Sequence, residues 1–188
     1  MKDAERITIL GFAGSLRKNS FDKSILSAAL EMVPEDATLE VFDLEGMPLF
    51  NPDLEKRPPE KVKVFKAKIR AADAILVATP ESTYTMPGVL QNAIDWASRP
   101  SRENVFHGKP VAVMGASPGV TGTARAQYHL RQIFASLNMS VLETPEVMVP
   151  FADEKVDREG RLIDRETREN IKELLESLVS WTRKIKKK

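Results

Sequence analysis

The chain contains no cysteine. This absence excludes disulfide bonds, thiol catalysis, cysteine-ligated iron–sulfur clusters and cysteine-based zinc sites. Any redox chemistry must therefore come from a bound cofactor. The two histidines, His107 and His129, fall in a loop and in a helical segment without clustered partners. A structural or solvated role is favoured for both, and no metal site is predicted.

An excess of charge of one sign is also missing, because 28 lysines and arginines face 27 aspartates and glutamates, for a net charge of +1. No broad field attracts nucleic acid or anionic lipid. The basic C-terminal residues 183–188 complement the dipole of their own helix, so no nucleic-acid partner is expected. No apolar run approaches the roughly 18 residues of a membrane helix, and no signal peptide is recognisable. We expect a cytoplasmic protein without a membrane partner.

What the chain does contain is enough apolar material for one core. Its 188 residues are 42% hydrophobic and 29% charged, which predicts a single domain over residues 1–188. Residues 7–13 form a nearly continuous apolar run closed by Gly14, typical of a parallel strand that is buried on both faces. Residues 73–80 and 109–115 have the same character.

The remaining segments complete an alternating pattern. Two further strands are predicted at residues 38–44 and within 140–149, and residues 45–59 are predicted to form a surface loop. Helices are predicted at residues 21–32, 59–72, 87–98, from about 123 to 137, and 164–185. Five strands alternating with five helices indicate a parallel sheet covered on both sides. Such sheets bind ligands beyond the carboxyl ends of their strands, which directs attention to the loops after the first, third and fourth strands.

The loop after the first strand, Gly14-Ser15-Leu16-Arg17-Lys18-Asn19-Ser20, leads into a helix that begins near Phe21. Free backbone N–H groups and the helix dipole favour an anion there, Ser15 and Ser20 can donate hydroxyl hydrogen bonds, and Arg17 can neutralise charge. A phosphate monoester fits this pattern, whereas the dinucleotide and Walker A signatures are absent. The alternative is that Ser20 is only an N-cap and Arg17 a solvated charge.

The other two loops are less distinctive. Residues 79–88 form a polar loop between two prolines, which can hold the backbone against a planar ligand. An ordinary turn with Tyr84 on the surface is the alternative. Residues 115–122 contain three glycines ahead of a helix, so exposed N–H groups could bind the carbonyl edge of a flavin. A flexible turn is the alternative there.

Three segments together resemble a known family. They are the run from Gly14 to Phe21, the run Pro87-Gly88-Val89-Leu90-Gln91-Asn92-Ala93-Ile94-Asp95-Trp96-Ala97-Ser98-Arg99 with the preceding Pro80-Glu81, and Gly108-Lys109-Pro110-Val111-Ala112. Over about residues 6 to 150 the chain resembles the NADPH-dependent FMN reductases, which include bacterial quinone, chromate and azo reductases. The resemblance implies a flavodoxin-like three-layer α/β sandwich with a five-stranded parallel sheet in the order 2-1-3-4-5.

The resemblance also implies an enzyme that uses FMN, with NADPH or NADH as co-substrate. Its function would be to pass hydride through the flavin to a small acceptor such as a quinone, chromate, an azo compound or free flavin. The flavin carries the chemistry, so no catalytic side chain is predicted. A homodimer or homotetramer is implied as well, with the region of Arg125, Tyr128 and Glu146 at a subunit contact; a solvated Arg125–Tyr128 pair is the alternative.

Site residues follow from the resemblance by position. The FMN phosphate is expected at Ser15, Arg17 and Ser20 and at the backbone of Asn19 and Phe21. The flavin ring is expected along Pro80, Glu81, Ser82, Thr83 and Tyr84, and its pyrimidine end near Gly115, Ala116, Ser117 and Gly119.

The chain departs from the family at several of these positions. Ser82 and Thr83 stand where tyrosine and asparagine are usual, and Thr85 stands for serine. Asp22 stands where asparagine is common, which adds a negative charge near the expected phosphate. One rival function is a non-enzymatic FMN electron-transfer protein, but the chain lacks the acidic docking face that such a protein needs. Another is a phosphate- or nucleotide-binding α/β protein without flavin.

Overall fold

The computed structural model describes residues 6–187. The strands are β1 (Ile7–Ala13), β2 (Ala37–Phe42), β3 (Ala74–Ala78), β4 (Pro110–Ala116), β5 (Ser140–Val141) and β6 (Val147–Val149). The α-helices are α1 (Phe21–Glu31), α2 (Glu60–Ala71), α3 (Gly88–Ser98), α4 (Ala124–Ser136), α5 (Ala152–Lys155) and α6 (Arg165–Lys186). Two single-turn 3-10 helices lie at Pro52–Leu54 and Ser101–Glu103.

The strands form one parallel sheet in the order β2-β1-β3-β4-β5, which confirms the predicted topology. The single strand predicted within residues 140–149 is divided into two. Strand β5 pairs with the start of β4, where Ser140 lies opposite Pro110, and β6 pairs with its end, where Val147 lies opposite Met114. Both short strands therefore occupy the fifth position of the sheet.

Helices cover both faces of the sheet. Alternate side chains of the central strands enter different cores: Leu76 of β3 packs in the core with α1 and α6, and Val77 packs in the core with α2, α3 and α4. The predicted face of α2 is confirmed, because Val62, Phe65 and Ile69 are fully buried. These two cores make the predicted three-layer sandwich, and they leave the carboxyl ends of the strands free for a site.

Residues 45–59 lie on the surface as predicted, but they are held against α3. The carbonyl oxygen of Pro48 accepts hydrogen bonds from the side chains of Asn92 and Trp96, at 2.9 and 2.8 Å. The ring of Phe50 packs edge-on against the indole of Trp96, with the ring centres 5.0 Å apart. Trp96 is thus a buried helix-packing residue that fastens this loop.

The last predicted helix is confirmed as α6. Its N-cap is Asp164, whose Oδ2 accepts the backbone N–H of Thr167 at 2.8 Å. Helix α5 and the short antiparallel bridge between Val156 and Leu162 were not predicted, because elements this short show no sequence periodicity. No helix within residues 6–187 is long and apolar enough to cross a membrane.

Candidate functional site

A cavity of about 360 Å³ lies where the loops after β1, β3 and β4 meet. It is therefore at the carboxyl ends of three parallel strands, where ligands bind in sheets of this kind. The first loop contributes Gly14, Ser15, Leu16, Arg17 and Ser20, and the start of α1 adds Phe21 and Asp22. The second loop contributes Pro80, Glu81, Ser82 and Pro87, and α3 adds Val89. Ala116 at the end of β4 and Ser117 and Pro118 of the third loop complete the wall.

The structure brings together most of the predicted site residues. The predicted residues that line the cavity are Ser15, Arg17, Ser20, Phe21, Pro80, Glu81, Ser82, Ala116 and Ser117. Among the described residues, those predicted for the site but outside the cavity wall are Asn19, Thr83, Tyr84, Gly115 and Gly119. The wall also includes six residues outside the predicted set of site residues: Gly14, Leu16, Asp22, Pro87, Val89 and Pro118.

The first loop supplies donors for an anion. Within residues 6–187 the guanidinium of Arg17 makes no hydrogen bond or ion pair, and the backbone N–H groups of Leu16, Lys18 and Asn19 have no acceptor. These groups precede the N-terminus of α1, whose dipole favours negative charge. Ser20 is the N-cap of α1, and its Oγ accepts the N–H of Asp22 at 3.2 Å. This donor set fits the phosphate group of a mononucleotide.

Asp22 is the buried charged group of the cavity, only 2% exposed. Its Oδ1 accepts the backbone N–H of Ala116 at 3.1 Å, and its Oδ2 accepts the hydroxyl of Ser20 at 3.4 Å. Burial raises the pKa of Asp22 to about 7, against the lowering effect of its hydrogen bonds. The side chain therefore links α1 to the end of β4, and it carries only part of the negative charge expected from the sequence.

The second loop contains a tight two-residue turn. Ser82 and Thr85 exchange backbone hydrogen bonds of 2.8 and 3.0 Å, and the intervening Thr83 and Tyr84 have φ of 49° and 66°. Two consecutive left-handed residues are typical of a type I′ turn, which favours asparagine and glycine. Tyr84 is 69% exposed, as in the surface-turn alternative that the sequence left open.

Glu81 fastens this loop to α4. Its Oε1 accepts Nη1 of Arg125 at 2.6 Å, and its Oε2 accepts the backbone N–H of Arg125 at 3.0 Å. The guanidinium of Arg125 also lies 4.1 Å from the centre of the Tyr84 ring. Arg125 is thus occupied within its own chain, and Glu146 lies 3.9 Å from Arg131 instead.

The third loop uses glycine mainly for packing. A Cβ on Gly115 would lie 2.0 Å from Oγ1 of Thr123 and 2.3 Å from the carbonyl oxygen of Thr79. A Cβ on Gly122 would lie 2.9 Å from the backbone beside β6, at a φ of 53°. Of the three glycines, only Gly119 has room for a side chain, because a Cβ there would lie 3.6 Å from its nearest neighbour, Oγ of Ser117. The close approach that glycine permits at Gly115 is therefore to neighbouring protein atoms.

Comparison with known proteins decides the family. A family model described as NADPH-dependent FMN reductase matches residues 7–154. The chain belongs to this family. It is 47% identical to an NAD(P)H-dependent FMN reductase of Pseudomonas aeruginosa over 184 residues, which cover 97% of this chain and 99% of that protein. It is 38% identical to a 2-hydroxy-1,4-benzoquinone reductase of Burkholderia sp over 170 residues, 90% and 93% of the two chains.

A solved structure gives the same result. The flavoenzyme NAD(P)H:(acceptor) oxidoreductase of Paracoccus denitrificans superposes with a TM-score of 0.86 at 32% identity, covering 95% of this chain and 98% of that one. The predicted family and flavodoxin-like fold are therefore confirmed. So is the predicted class, an oxidoreductase that uses FMN and NAD(P)H with a small-molecule acceptor, which is favoured over an electron-transfer protein.

Proposed function

We propose that this protein binds FMN in the cavity between the three loops and works as an NAD(P)H-dependent reductase of small quinone-type acceptors. The observation that carries the proposal is the first loop. Arg17 and Leu16 border the cavity, and neither the Arg17 guanidinium nor the backbone N–H groups of Leu16, Lys18 and Asn19 have a partner among residues 6–187. Membership of the family supports FMN as the ligand, and the benzoquinone reductase among the relatives supports quinones as the class of acceptor.

The first loop would hold the phosphate group. Arg17 would supply a charge-assisted bond, and Ser15 with the backbone of Asn19 and Phe21 would supply neutral donors around it. The positive end of the α1 dipole adds to this attraction. Ser20 plays a second part, because its Oγ already caps α1 through Asp22.

The other loops would border the flavin ring. Pro80, Ser82, Pro87 and Val89 form one wall of the cavity, and Ala116 and Ser117 form another. Thr83, Tyr84, Gly115 and Gly119 are proposed as neighbours of the ring on the strength of the resemblance. Bound FMN supplies hydride transfer between the nicotinamide and the acceptor. The protein's own contribution is to bind and orient the ligands, so its reacting partners would occupy the site in turn, in ping-pong order.

Two further features are proposed with the function. The resemblance supports a homodimer or homotetramer, because a site that is open on one side is often completed by a second subunit in similar proteins. The need for NAD(P)H supports a cytoplasmic location.

The visible spectrum of the purified protein tests the function. We expect flavin absorption bands in the protein as isolated or after addition of FMN, and anaerobic bleaching of these bands by NADPH or NADH. A quinone added next should restore the oxidised spectrum. Protein without affinity for FMN would contradict the proposal and favour a nucleotide-binding protein without flavin. Bound FMN that neither NADPH nor NADH reduces would contradict the reductase and favour an electron-transfer protein.

A further inference from the structure

We propose that Asp22 makes phosphate binding in the first loop depend on a proton: the cavity binds FMN tightly when this carboxyl group is neutral and weakly when it is ionised. The inference rests on the proposed function, because FMN is the ligand that brings the phosphate. Asp22 would thus be a positioning residue whose protonation sets the affinity of the cavity for FMN.

The position of Asp22 beside the expected phosphate is the first observation that supports this proposal. Its side chain lines the same cavity as Ser15 and Arg17, yet it is only 2% exposed. A phosphate monoester brings between one and two negative charges at neutral pH. Two anions close together repel each other, and the burial of Asp22 weakens the screening of its charge by water, so each disfavours the charged form of the other. A bound phosphate is therefore expected to draw a proton onto Asp22.

The hydrogen bond between Asp22 and the hydroxyl group of Ser20 is the second observation that supports it. When Asp22 is ionised, its Oδ2 accepts the hydroxyl hydrogen of Ser20 at 3.4 Å. A neutral carboxylic acid can donate to the Ser20 Oγ instead, and this frees the hydroxyl hydrogen for a ligand. The N-cap bond from the backbone of Asp22 to this Oγ is compatible with both arrangements. Protonation would therefore remove a repulsive charge and add a donor.

The charged groups around the cavity do not cancel this effect. Of the described wall residues, the first loop contributes Arg17 and the second contributes Glu81, while the third contributes only Ala116, Ser117 and Pro118. Glu81 is already paired with Arg125. Arg17 is the cation that a phosphate would engage, and it would then be less able to stabilise an ionised Asp22.

Among residues 6–187, the cations of the elements behind α1 that lie nearest its N-terminal and C-terminal ends are paired with other carboxylates. Arg161 pairs with Asp157 at 2.8 Å, and Arg168 of α6 pairs with Glu31 at the far end of α1 at 2.8 Å. Burial already raises the pKa of Asp22 to about 7 in the ligand-free protein. A small further change on phosphate binding would therefore fall in the neutral range, where it can be measured.

The test is the affinity of the apoprotein for FMN between pH 5.5 and 8.5, measured by quenching of flavin fluorescence. Asp22→Asn is the matched variant, because asparagine keeps an acceptor for the N–H of Ala116. Dividing the Kd of the wild type by that of the variant at each pH removes the titration of the phosphate itself. We expect this ratio to rise about tenfold across the range, which corresponds to one unit of pKa change in Asp22. A ratio that stays constant would overturn the proposal.

A control ligand, riboflavin, separates the possible failures. Riboflavin has no phosphate, so its ratio should not change with pH; a rise equal to that of FMN would show a general effect on the cavity and overturn the proposal. If neither protein binds FMN or riboflavin at any pH, the proposed function itself fails.

A second measurement needs no variant. Carboxyl resonances of isotope-labelled aspartate in the wild-type protein report the titration of Asp22 directly, with and without FMN. We expect FMN to raise the pKa of Asp22 by about one unit, the amount that matches the tenfold affinity change. An unchanged or lowered pKa in the FMN-bound protein would overturn the proposal even if Asp22→Asn fails to fold.

Discussion

The carboxylate of Glu81 binds both the guanidinium and the backbone N–H of Arg125, at 2.6 and 3.0 Å. Arg125 lies in the first turn of α4. Within the described part of the chain, the side chain of the N-cap residue, Thr123, makes no capping bond. Glu81 therefore supplies from a distant loop the acceptor that the first turn of α4 lacks. One side chain thus caps a helix and fixes one wall of the cavity.

Replacement of Glu81 by alanine is expected to lower the free energy of unfolding by about 1–3 kcal/mol. The change removes a charged acceptor shared by three donors, which are the guanidinium and backbone N–H of Arg125 and the backbone N–H of Ala126. Urea unfolding followed by circular dichroism measures this value. Glu176→Ala is the matched control, since Glu176 pairs with Lys172 at 3.9 Å on the exposed side of α6 and with no other residue between 6 and 187. That surface pair should contribute less than about 0.5 kcal/mol. Equal losses in the two variants would contradict the capping role.

This contact also shows where prediction from sequence ends. The apolar residues Val62, Phe65 and Ile69 recur at helical spacing, so the buried face of α2 can be predicted from one segment of sequence. Glu81 and Arg125 are 44 residues apart in two polar segments, and no local pattern relates them. The strands and the positions of the site loops were therefore predictable, whereas the contacts between those loops were not.

The same distinction applies within the site. Arg17 was predictable because charge, hydroxyl groups and a helix start occur together in seven residues of sequence. Asp22 was noticed only as a departure from the family, since an acidic residue in the first turn of a helix is common. Its burial depends on the end of β4, at Ala116, which lies 94 residues further along the chain. Likewise, the three glycines of the third loop look equivalent until Thr79 and Thr123 are seen beside Gly115.

Arg17→Ala is expected to weaken FMN binding by roughly 1.5–3 kcal/mol, about ten- to a hundredfold in Kd, because a charge-assisted hydrogen bond to phosphate is lost. Fluorescence titration of the apoprotein measures the change. Lys18→Ala is the control, because Lys18 is the neighbouring exposed cation and does not line the cavity. If Lys18→Ala weakened binding as much as Arg17→Ala, only the general positive charge of the loop would be involved.

Gly115→Ala is expected to destabilise the protein by about 1–3 kcal/mol or more, as in other overpacked cores. The new Cβ would meet Oγ1 of Thr123 at 2.0 Å and the backbone oxygen of Thr79 at 2.3 Å, so the backbone itself must shift. Gly119→Ala is the matched change in the same loop, with its nearest neighbour at 3.6 Å, and should leave the melting temperature almost unchanged. Similar melting temperatures for the two variants would show that Gly115 is not closely packed.

Thr83→Asn is expected to stabilise the protein by about 0.5–1 kcal/mol. Thr83 has a φ of 49°, and a β-branched residue adopts this left-handed conformation at a cost that asparagine largely avoids. Thermal unfolding measures the gain. Thr85→Asn serves as the control, because Thr85 lies in the same turn without a positive φ, and it should give no gain. A loss of stability in Thr83→Asn would show that the contacts of the Thr83 side chain stabilise the protein by more than its left-handed backbone conformation destabilises it.

Asp22→Asn is expected to change how stability depends on pH. The pKa of Asp22 is about 7 in the folded protein against an ordinary value of 3.8, so the folded state holds a proton that the unfolded state releases within this range. The free energy of unfolding contributed by this group therefore falls as pH rises from about 4 to 7, and it stays low above 7. At roughly 1.4 kcal/mol per pKa unit, the variant should gain about 2–4 kcal/mol over the wild type between pH 4.5 and 8.5.

Urea unfolding of both proteins across this range measures the difference, and Asp164→Asn supplies a control of opposite sign. Bonds from the hydroxyl and N–H of Thr167 hold the pKa of Asp164 below its usual range, so its ionised form stabilises the folded state. That contribution is fully present above about pH 4 and is lost only below it, so Asp164→Asn should bring no gain at pH 8.5. If the free energies of unfolding of the wild type and of Asp22→Asn changed with pH in parallel, the buried carboxyl group would already be ionised at pH 4.5.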